Sequence, residues 1–528
     1  MKYNNISNII PCLAVALSMT SCTALFYDIN KNPNEVTDSQ MQAKNYKTGS
    51  NIKALQGLVI PVQEHMYQFN ESLTGGPFAG YIGATVDTWA TKFETYNPSA
   101  DWRKWPFANV LTETYSPYRD VVNGTDDPVA IALAKLMKVA IMHRVTDSYG
   151  PIPYSQLEQS DEIYVGYDSQ EQVYMKMFGE LDAAIDALCD NVYLGNDAWS
   201  KYDAVYYGNI SQWVKYANSL KLRMAMRLSY VMPDFSRQKA AEAIAAGVIL
   251  SNADNAAMHA AENRTTLIYN DWADHRVGAD IICYMNGYGD PRRENMFTQI
   301  TAIVSGEELT LYRGIRIGID VASKGSAVSG HSNMKVTSDT PYTWMTAAEV
   351  SFLMAEYELR WGTDDEARKF YEQGIRLSFE EKGASGADDY IADSQSVREP
   401  YSGHGEVHPY QDQMTSVTIA WENGNFERNL ERIITQKWIA IFPLGVEAWS
   451  EYRRTGYPKL MPHPSQYDKS NSTVDLAEGA RRLPYPVEEY QLNRANLEHA
   501  ITLLDSEISA GGFSGDKMGT HLWWDCKK

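Results

Sequence analysis

Apolar residues recur three and four positions apart through much of the chain, a spacing that gathers them on one side of an α-helix. The clearest instance covers residues 346–382. Thr346 stands three residues before Glu349, the spacing of a capping box, and Val350, Leu353, Met354, Tyr357 and Trp361 then trace one face. Gly362 follows, a residue suited to the left-handed conformation that ends many helices. Thr363 and Glu366 open a second helix whose apolar face is Ala367, Phe370, Tyr371, Ile375 and Phe379. The segment predicts a helical hairpin.

Three further pairs follow the same logic. Asp127-Pro128 opens a helix with the stripe Val129, Leu133, Leu136, Met137, Ala140, Ile141 and Val145. Its partner begins at Ser169 with Gln172 and carries Val173, Met177, Leu181, Ile185 and Leu188. A third pair places Trp213, Ala217, Leu220, Met224 and Leu228 before Pro233-Asp234 and an Ala-rich helix reaching Gly247. The last has Leu430, Ile433, Ile434, Trp438 and Ile441, a break at Pro443, and a short helix through Val446 and Trp449. About four hairpins, each burying its face on the next, predict a mainly α, tetratricopeptide-like stack without a strict repeat period. Irregular stretches at about 75–125, 250–340, 383–425 and 456–528 interrupt it, with strand expected around Leu309–Ile317. No composition shift marks a second domain, so residues 22–528 are expected to form one body.

The first 21 residues read differently. An apolar stretch from Ile9 to Met19, interrupted by Pro11 and preceded only by Lys2, ends at Thr20-Ser21. It is too short to span a bilayer and predicts a secretory signal. Cys22 directly after a small residue resembles a bacterial lipobox, which implies cleavage before Cys22 and acylation of its new amino terminus. Acidic residues directly behind that cysteine would favour display on the cell surface; here Thr23 to Tyr27 come before Asp28. The alternative is an ordinary secreted protein.

Charge and composition remove several function classes. A net charge of −20 without a basic cluster excludes binding nucleic acid through its phosphates. Five cysteines, Cys12 inside the leader and Cys22 at its end, leave three well-separated ones in the body and argue against a disulfide scaffold. No HExxH, GxSxG, P-loop or GxGxxG pattern occurs, so an enzyme, for instance a two-carboxylate glycosidase, has no motif to rest on. Metal and cofactor readings fail as well. Asp28, Asn30 and Asn32 open like a calcium loop, but Pro33 occupies the glycine position and Ser39 that of the bidentate acid. His404 and His408 have no further ligand at fixed spacing.

Aromatic content does change the picture: 34 Tyr and 13 Trp against 14 Phe. Tyr and Trp join a flat apolar face to a polar handle, and such faces stack on the CH faces of sugars. The densest irregular stretch, 81–118, holds Tyr81, Trp89, Phe93, Tyr96, Trp102, Trp105, Tyr115 and Tyr118 among polar residues. Trp89, Tyr96, Trp102 and Tyr81 are candidate ligand contacts, whereas Trp105 and Phe107 are expected to anchor a helix in the core. Trp272, with Tyr269, Tyr284 and Tyr288, forms a second candidate group.

Seven strings, in order, carry a resemblance. They are FYDINKNPN (Phe26 to Asn34), AKLMKVAIMHRVTDSYGPIPYSQ with Arg144, Thr146, Asp147, Gly150, Pro153 and Tyr154, GDPRR (Gly289 to Arg293) and YRGIRIG (Tyr312 to Gly318). Next come AAEVSFLMAEYELRWG running into ARKFYEQGIRLSF, then ITQKWIAIFPLGVEAWSEYRRTGYPKL, and RRLPYPVEEYQLN (Arg481 to Asn493). Over nearly the whole mature chain this resembles the SusD/RagB nutrient-binding outer-membrane lipoproteins, closest to the SusD-like branch. The resemblance implies a tetratricopeptide-based fold, a ligand surface built from loops outside the repeats, and no catalysis. It also implies a SusC-like, TonB-dependent transporter as partner, over which the lipoprotein holds an oligosaccharide or, in some relatives, a peptide.

Overall fold

The computed structural model describes residues 45–158, 164–193, 197–402, 405, 407–507 and 512–527. The leader, Cys22, Phe26 to Asn34 and His404 lie outside the described residues. The chain divides into two compact units, Met1–Thr48 and Gly49–Lys528, and the second carries the architecture below. Helices of eleven residues or more are α1 (Tyr46–Val59), α2 (Val110–Val122), α3 (Pro128–Tyr149), α4 (Gln170–Asp190), α5 (Ile210–Arg227) and α6 (Pro233–Ala246). They continue as α7 (Ala347–Trp361), α8 (Asp364–Glu381), α9 (Phe426–Ala440), α10 (Gly445–Thr455) and α11 (Arg494–Glu507).

Local chemistry sets where these helices begin. The Asp127 carboxylate accepts from the amides of Val129 and Ala130, with Pro128 in the first turn of α3. Ser169 and Gln172 form a reciprocal capping box on α4. Thr346 accepts from Glu349 N, and Thr363 from Glu366 N. Each cap satisfies an amide that the helix leaves orphaned, worth about 1 kcal/mol.

Three hairpins pack closely: α3 with α4, α5 with α6, and α7 with α8. They stack in sequence, α4 on α5, α5 on α7, and α7 on α9. The fourth pair is more open, because α10 leaves α9 to pack on residues 75–78 and on α3. Two glycines permit that crossing. A Cβ on Gly75 would lie 2.2 Å from Val446 N, and one on Gly445 would lie 2.3 Å from Gly76 N. Backbone meets backbone there, so no side chain fits.

A buried ion network ties the stack together. Arg227 of α5 pairs with Asp147 of α3 at 3.3 Å, with Glu447 of α10 at 2.6 Å, and with Glu451. Arg223 forks onto Glu349 of α7 at 2.7 and 2.8 Å. Lys437 of α9 reaches Glu447 at 3.3 Å and Glu451 at 3.2 Å, while Arg454 holds Glu356 at 2.6 Å. All are buried. At three of the carboxyls the cations more than reverse the upward push of burial, so that Glu447 sits at about 2 and Glu356 and Glu451 are also lowered, whereas at Asp147 burial prevails and the carboxyl is raised.

The sheets are small. β1 (Ile82–Ala84) pairs antiparallel with β3 (His275–Val277), and β2 (Ala256–Met258) with β6 (Tyr342–Met345). A hairpin joins β4 (Ile300–Val304) to β5 (Glu307–Leu311), so strand occurs where it is expected at Leu309 but ends at Leu311. The stretches read as irregular contain short helices, and two of them contain long ones. α2 escapes notice because Pro117 lies inside it and Thr114, Tyr115 and Tyr118 share its buried face. α11 buries only Leu497, Ala500 and Leu504, too thin a stripe to stand out.

Candidate functional site

Six rings from four stretches of the chain lie at the surface in two contacting groups, carried on a shared segment, residues 64–72. The short helix Glu64–Tyr67, capped by Gln63 accepting from Met66 N, runs into a wider turn at Gln68–Ser72. His65 and Phe69 stand four apart, hence on one face. The short helix Ala100–Lys104, capped by Ser99 accepting from Trp102 N, runs into Trp105–Asn109, so Trp102 and Trp105 also share a face. Phe69 stacks on Trp105 at 5.2 Å with planes 10° apart and meets Trp102 edge-on at 5.6 Å. Trp102 meets Trp89 edge-on at 5.1 Å. At the other end of the segment His65 stacks on Trp272 at 5.2 Å, 21° apart. His65 is exposed, and the other five rings are half-buried.

Beneath this ribbon the packing is firm. Phe93, wholly buried, lies 6.2 Å from Trp102. His275, at the start of β3 and likewise buried, lies 6.1 Å from Trp89. Burial pushes its imidazole down to about 4, so it stays neutral. The Gln68 amide lies 3.3 Å from His275 Nε2 and donates to Asp274 at 3.1 Å. Lys324 neutralises Asp274 at 2.7 Å. Asn97 clamps the loop, accepting from Lys92 N and Thr95 Oγ1 and donating to the Ala90 carbonyl. Arg103 donates to the Tyr485 carbonyl, tying the Trp102 helix to the C-terminal region. Rings held this way lose little freedom on meeting a ligand, and each aromatic pair adds about 0.5–1.5 kcal/mol.

The structure thus brings Trp89 and Trp102 together and places Trp272 at the far end of the ribbon. It corrects other expectations. Tyr81 is 0% exposed, its hydroxyl donates to the Trp438 carbonyl, and its ring packs on Trp438 and Phe442, leaving no face for a ligand. Tyr96 is not overturned: half-buried, it sits apart from the ribbon, against His463 at 4.8 Å, and lines a cavity of about 60 Å³ with Glu94, Asp280 and Arg316. Tyr269, Tyr284 and Tyr288 are buried, with hydroxyls bonded to Ser72, the Lys459 carbonyl and the Val417 carbonyl. Phe107 anchors the core as expected, whereas Trp105 keeps part of its ring at the surface. His65 and Phe69 are the members that sequence reasoning missed; their four-residue spacing was visible, within a segment too short to read as a helix.

A carboxylate borders the ribbon at its His65 end. The carboxylate nearest its His65 end, Glu64, receives a bidentate bond from Arg264 at 2.5 and 2.9 Å. Those bonds hold Glu64 down at about 2, so it carries no proton to donate. Among the described residues no three His, Cys, Asp or Glu side chains converge on a metal position. His408 instead meets the Tyr467 hydroxyl at 2.8 Å.

Comparison with known proteins bears on the fold that carries this surface. The family profile that matches, over residues 28–525, is SusD-like, described as the Susd and RagB outer membrane lipoproteins. A SusD homologue from Bacteroides thetaiotaomicron is 50% identical, with a TM-score of 0.86 over 91% of this chain and 99% of its own. A SusD homologue from Bacteroides ovatus is 43% identical, with a TM-score of 0.85 over the same shares. A chitin-binding SusD homologue from Flavobacterium johnsoniae is 33% identical, with a TM-score of 0.82 over 91% of this chain and 99% of its own. No curated protein matches.

Proposed function

The chain belongs to the SusD-like family of SusD and RagB outer-membrane lipoproteins, and from that premise we propose that it captures an oligosaccharide on the aromatic ribbon. The observation that carries this reading is the half-buried run Phe69, Trp105, Trp102 and Trp89, fixed from below by Phe93 and His275. Flat rings with one face wet and one face packed suit the CH faces of a sugar chain. Two neighbouring carboxylates are already paired, Glu64 with Arg264 and Asp274 with Lys324, which favours a neutral glycan. Chitin oligomers are the first ligand to test, since a relative 33% identical binds chitin.

Capture is the whole of the activity: the ligand leaves unchanged, handed to a SusC-like, TonB-dependent transporter. Cys22 is the proposed lipid attachment, holding residues 22–528 as one domain at the outer face of the membrane. No described helix is long and apolar enough to cross it. A glycan array probed with the body lacking residues 1–22 tests ligand class. Binding to neutral oligosaccharides that is lost in Trp102→Ala supports the reading, and an array silent with folded protein defeats it.

A further inference from the structure

Residues 64–72 carry a ring of each surface group, His65 for one and Phe69 for the other. The placing of this segment therefore decides whether the two groups form a single surface. Side chains four positions apart, Glu64, Gln68 and Ser72, link it to residues 264–275. Glu64 pairs with Arg264, whose side chain is 45% exposed, and an ion pair so open to water adds little. The Ser72 hydroxyl meets that of Tyr269 at 2.9 Å, beyond Phe69. Gln68 stands between the two rings in sequence and is buried. Its amide donates to Asp274 at 3.1 Å and lies 3.3 Å from Nε2 of the neutral His275.

What Gln68 grips is itself fixed. Lys324 answers Asp274 at 2.7 Å, the Asp274 carbonyl accepts from Thr85 N at 2.9 Å, and His275 opens β3 opposite Ala84 of β1. Both ring groups lean on this stretch. Trp272 stands two residues before Asp274, and the His275 ring backs Trp89 at 6.1 Å. Between Trp272 and Asp274, Ala273 holds φ at +54°, a conformation uncommon for a residue with a Cβ. Thr85 Oγ1 secures it by donating to the Ala273 carbonyl at 2.6 Å. Strain secured in this way belongs to ligand sites more than to passive surface. A buried amide is also a costly way to fill space. Methionine or leucine would pack there without losing hydration, but apolar contact has no direction, whereas a hydrogen bond fixes register.

We propose, on the premise that the ribbon binds a glycan, that Gln68 is its positioning residue. Its grip on Asp274 and His275 aligns the His65–Trp272 pair with the group of Phe69, Trp105, Trp102 and Trp89, so that one glycan chain lies across both. The ribbon then selects by length. A chain held at one group meets the second at high effective concentration only if the two are in register. A short oligomer occupies one group and gains nothing from the alignment.

Calorimetric titration of the purified protein with chitin oligomers of two and of six sugars tests this. Wild type is expected to favour the six-sugar chain by roughly a hundredfold. Gln68→Met should cut that margin to less than about tenfold, the advantage of the several registers a long chain offers a short site, with two-sugar affinity within about twofold of wild type. Gln68→Asn, which keeps the amide but shortens its reach, should do the same and serves where methionine does not fold. Trp272→Ala should cut the margin equally. Gln68→Glu combined with Asp274→Asn exchanges donor and acceptor and should restore it, which a merely loosened segment would not allow. A margin unchanged in Gln68→Met and Gln68→Asn, both oligomers weakened alike, or no recovery in the exchanged pair overturns the proposal and leaves the ribbon standing as a glycan surface. Wild type that binds neither oligomer defeats both.

Discussion

Phe69 and Trp105 lie face to face, 5.2 Å apart and within 10° of parallel, although one belongs to the turn after Tyr67 and the other to the segment after Lys104. Neither ring is buried, so the contact fixes the height and tilt of a surface that also includes Trp102 and Trp89. Removing Phe69 releases Trp105 without opening the core. Phe69→Ala is therefore expected to lower glycan affinity by roughly tenfold, about 1.4 kcal/mol, with urea stability nearly unchanged. Calorimetric titration beside a denaturation curve separates the two effects.

Arg227 answers three buried carboxylates contributed by α3 and α10. Arg227→Met is expected to leave Asp147, Glu447 and Glu451 short of a cation and to cost about 3–5 kcal/mol, read from the urea midpoint. Arg494→Ala, which breaks an exposed and solvent-screened pair with Glu498, is expected to leave that midpoint essentially unchanged.

Acid should destabilise the body through its buried histidines. Burial pushes His275, His331 and His463 down to about 4 and His143 to about 3, against about 6.5 in the unfolded chain. Between those values the unfolded state binds more protons, so this contribution is present above about 6.5 and lost as pH falls toward 4. Asp147 and Glu94, pushed up by burial, act in the opposite sense. The clean measurement is a difference: the fall in urea midpoint from pH 7 to pH 5 should be smaller in His275→Gln than in wild type.

Cys22→Ala should move the protein from the membrane fraction to the soluble one. Retention in the pellet after a salt wash would remove the lipid-anchor proposal.

The helical stack was legible because its signals are local. Asp127, Ser169, Thr346 and Thr363 cap where their spacing to the next polar residue says they should. The ribbon was half legible. Trp89 and Trp102 stand in an aromatic-rich irregular stretch, and so does Tyr81, which is flanked by Gly80 and Ile82 rather than by Asp101 and Arg103 and lies in the core. What separates them is the partner across the fold: Trp438 covers Tyr81, while Trp102 meets Phe69 at the surface. The ion network escaped for a related reason. Glu447, Glu451 and Arg454 read as an ordinary polar helix face until α5, α7 and α9 close over it.

The decisive measurement is titration of a neutral oligosaccharide, chitin oligomers first, into the body lacking residues 1–22 and into its Trp102→Ala variant at low and high salt. Saturable binding that Trp102→Ala weakens by roughly tenfold or more, with little dependence on salt, is expected for stacking on the ribbon. Equal affinity in the two folded proteins would contradict it.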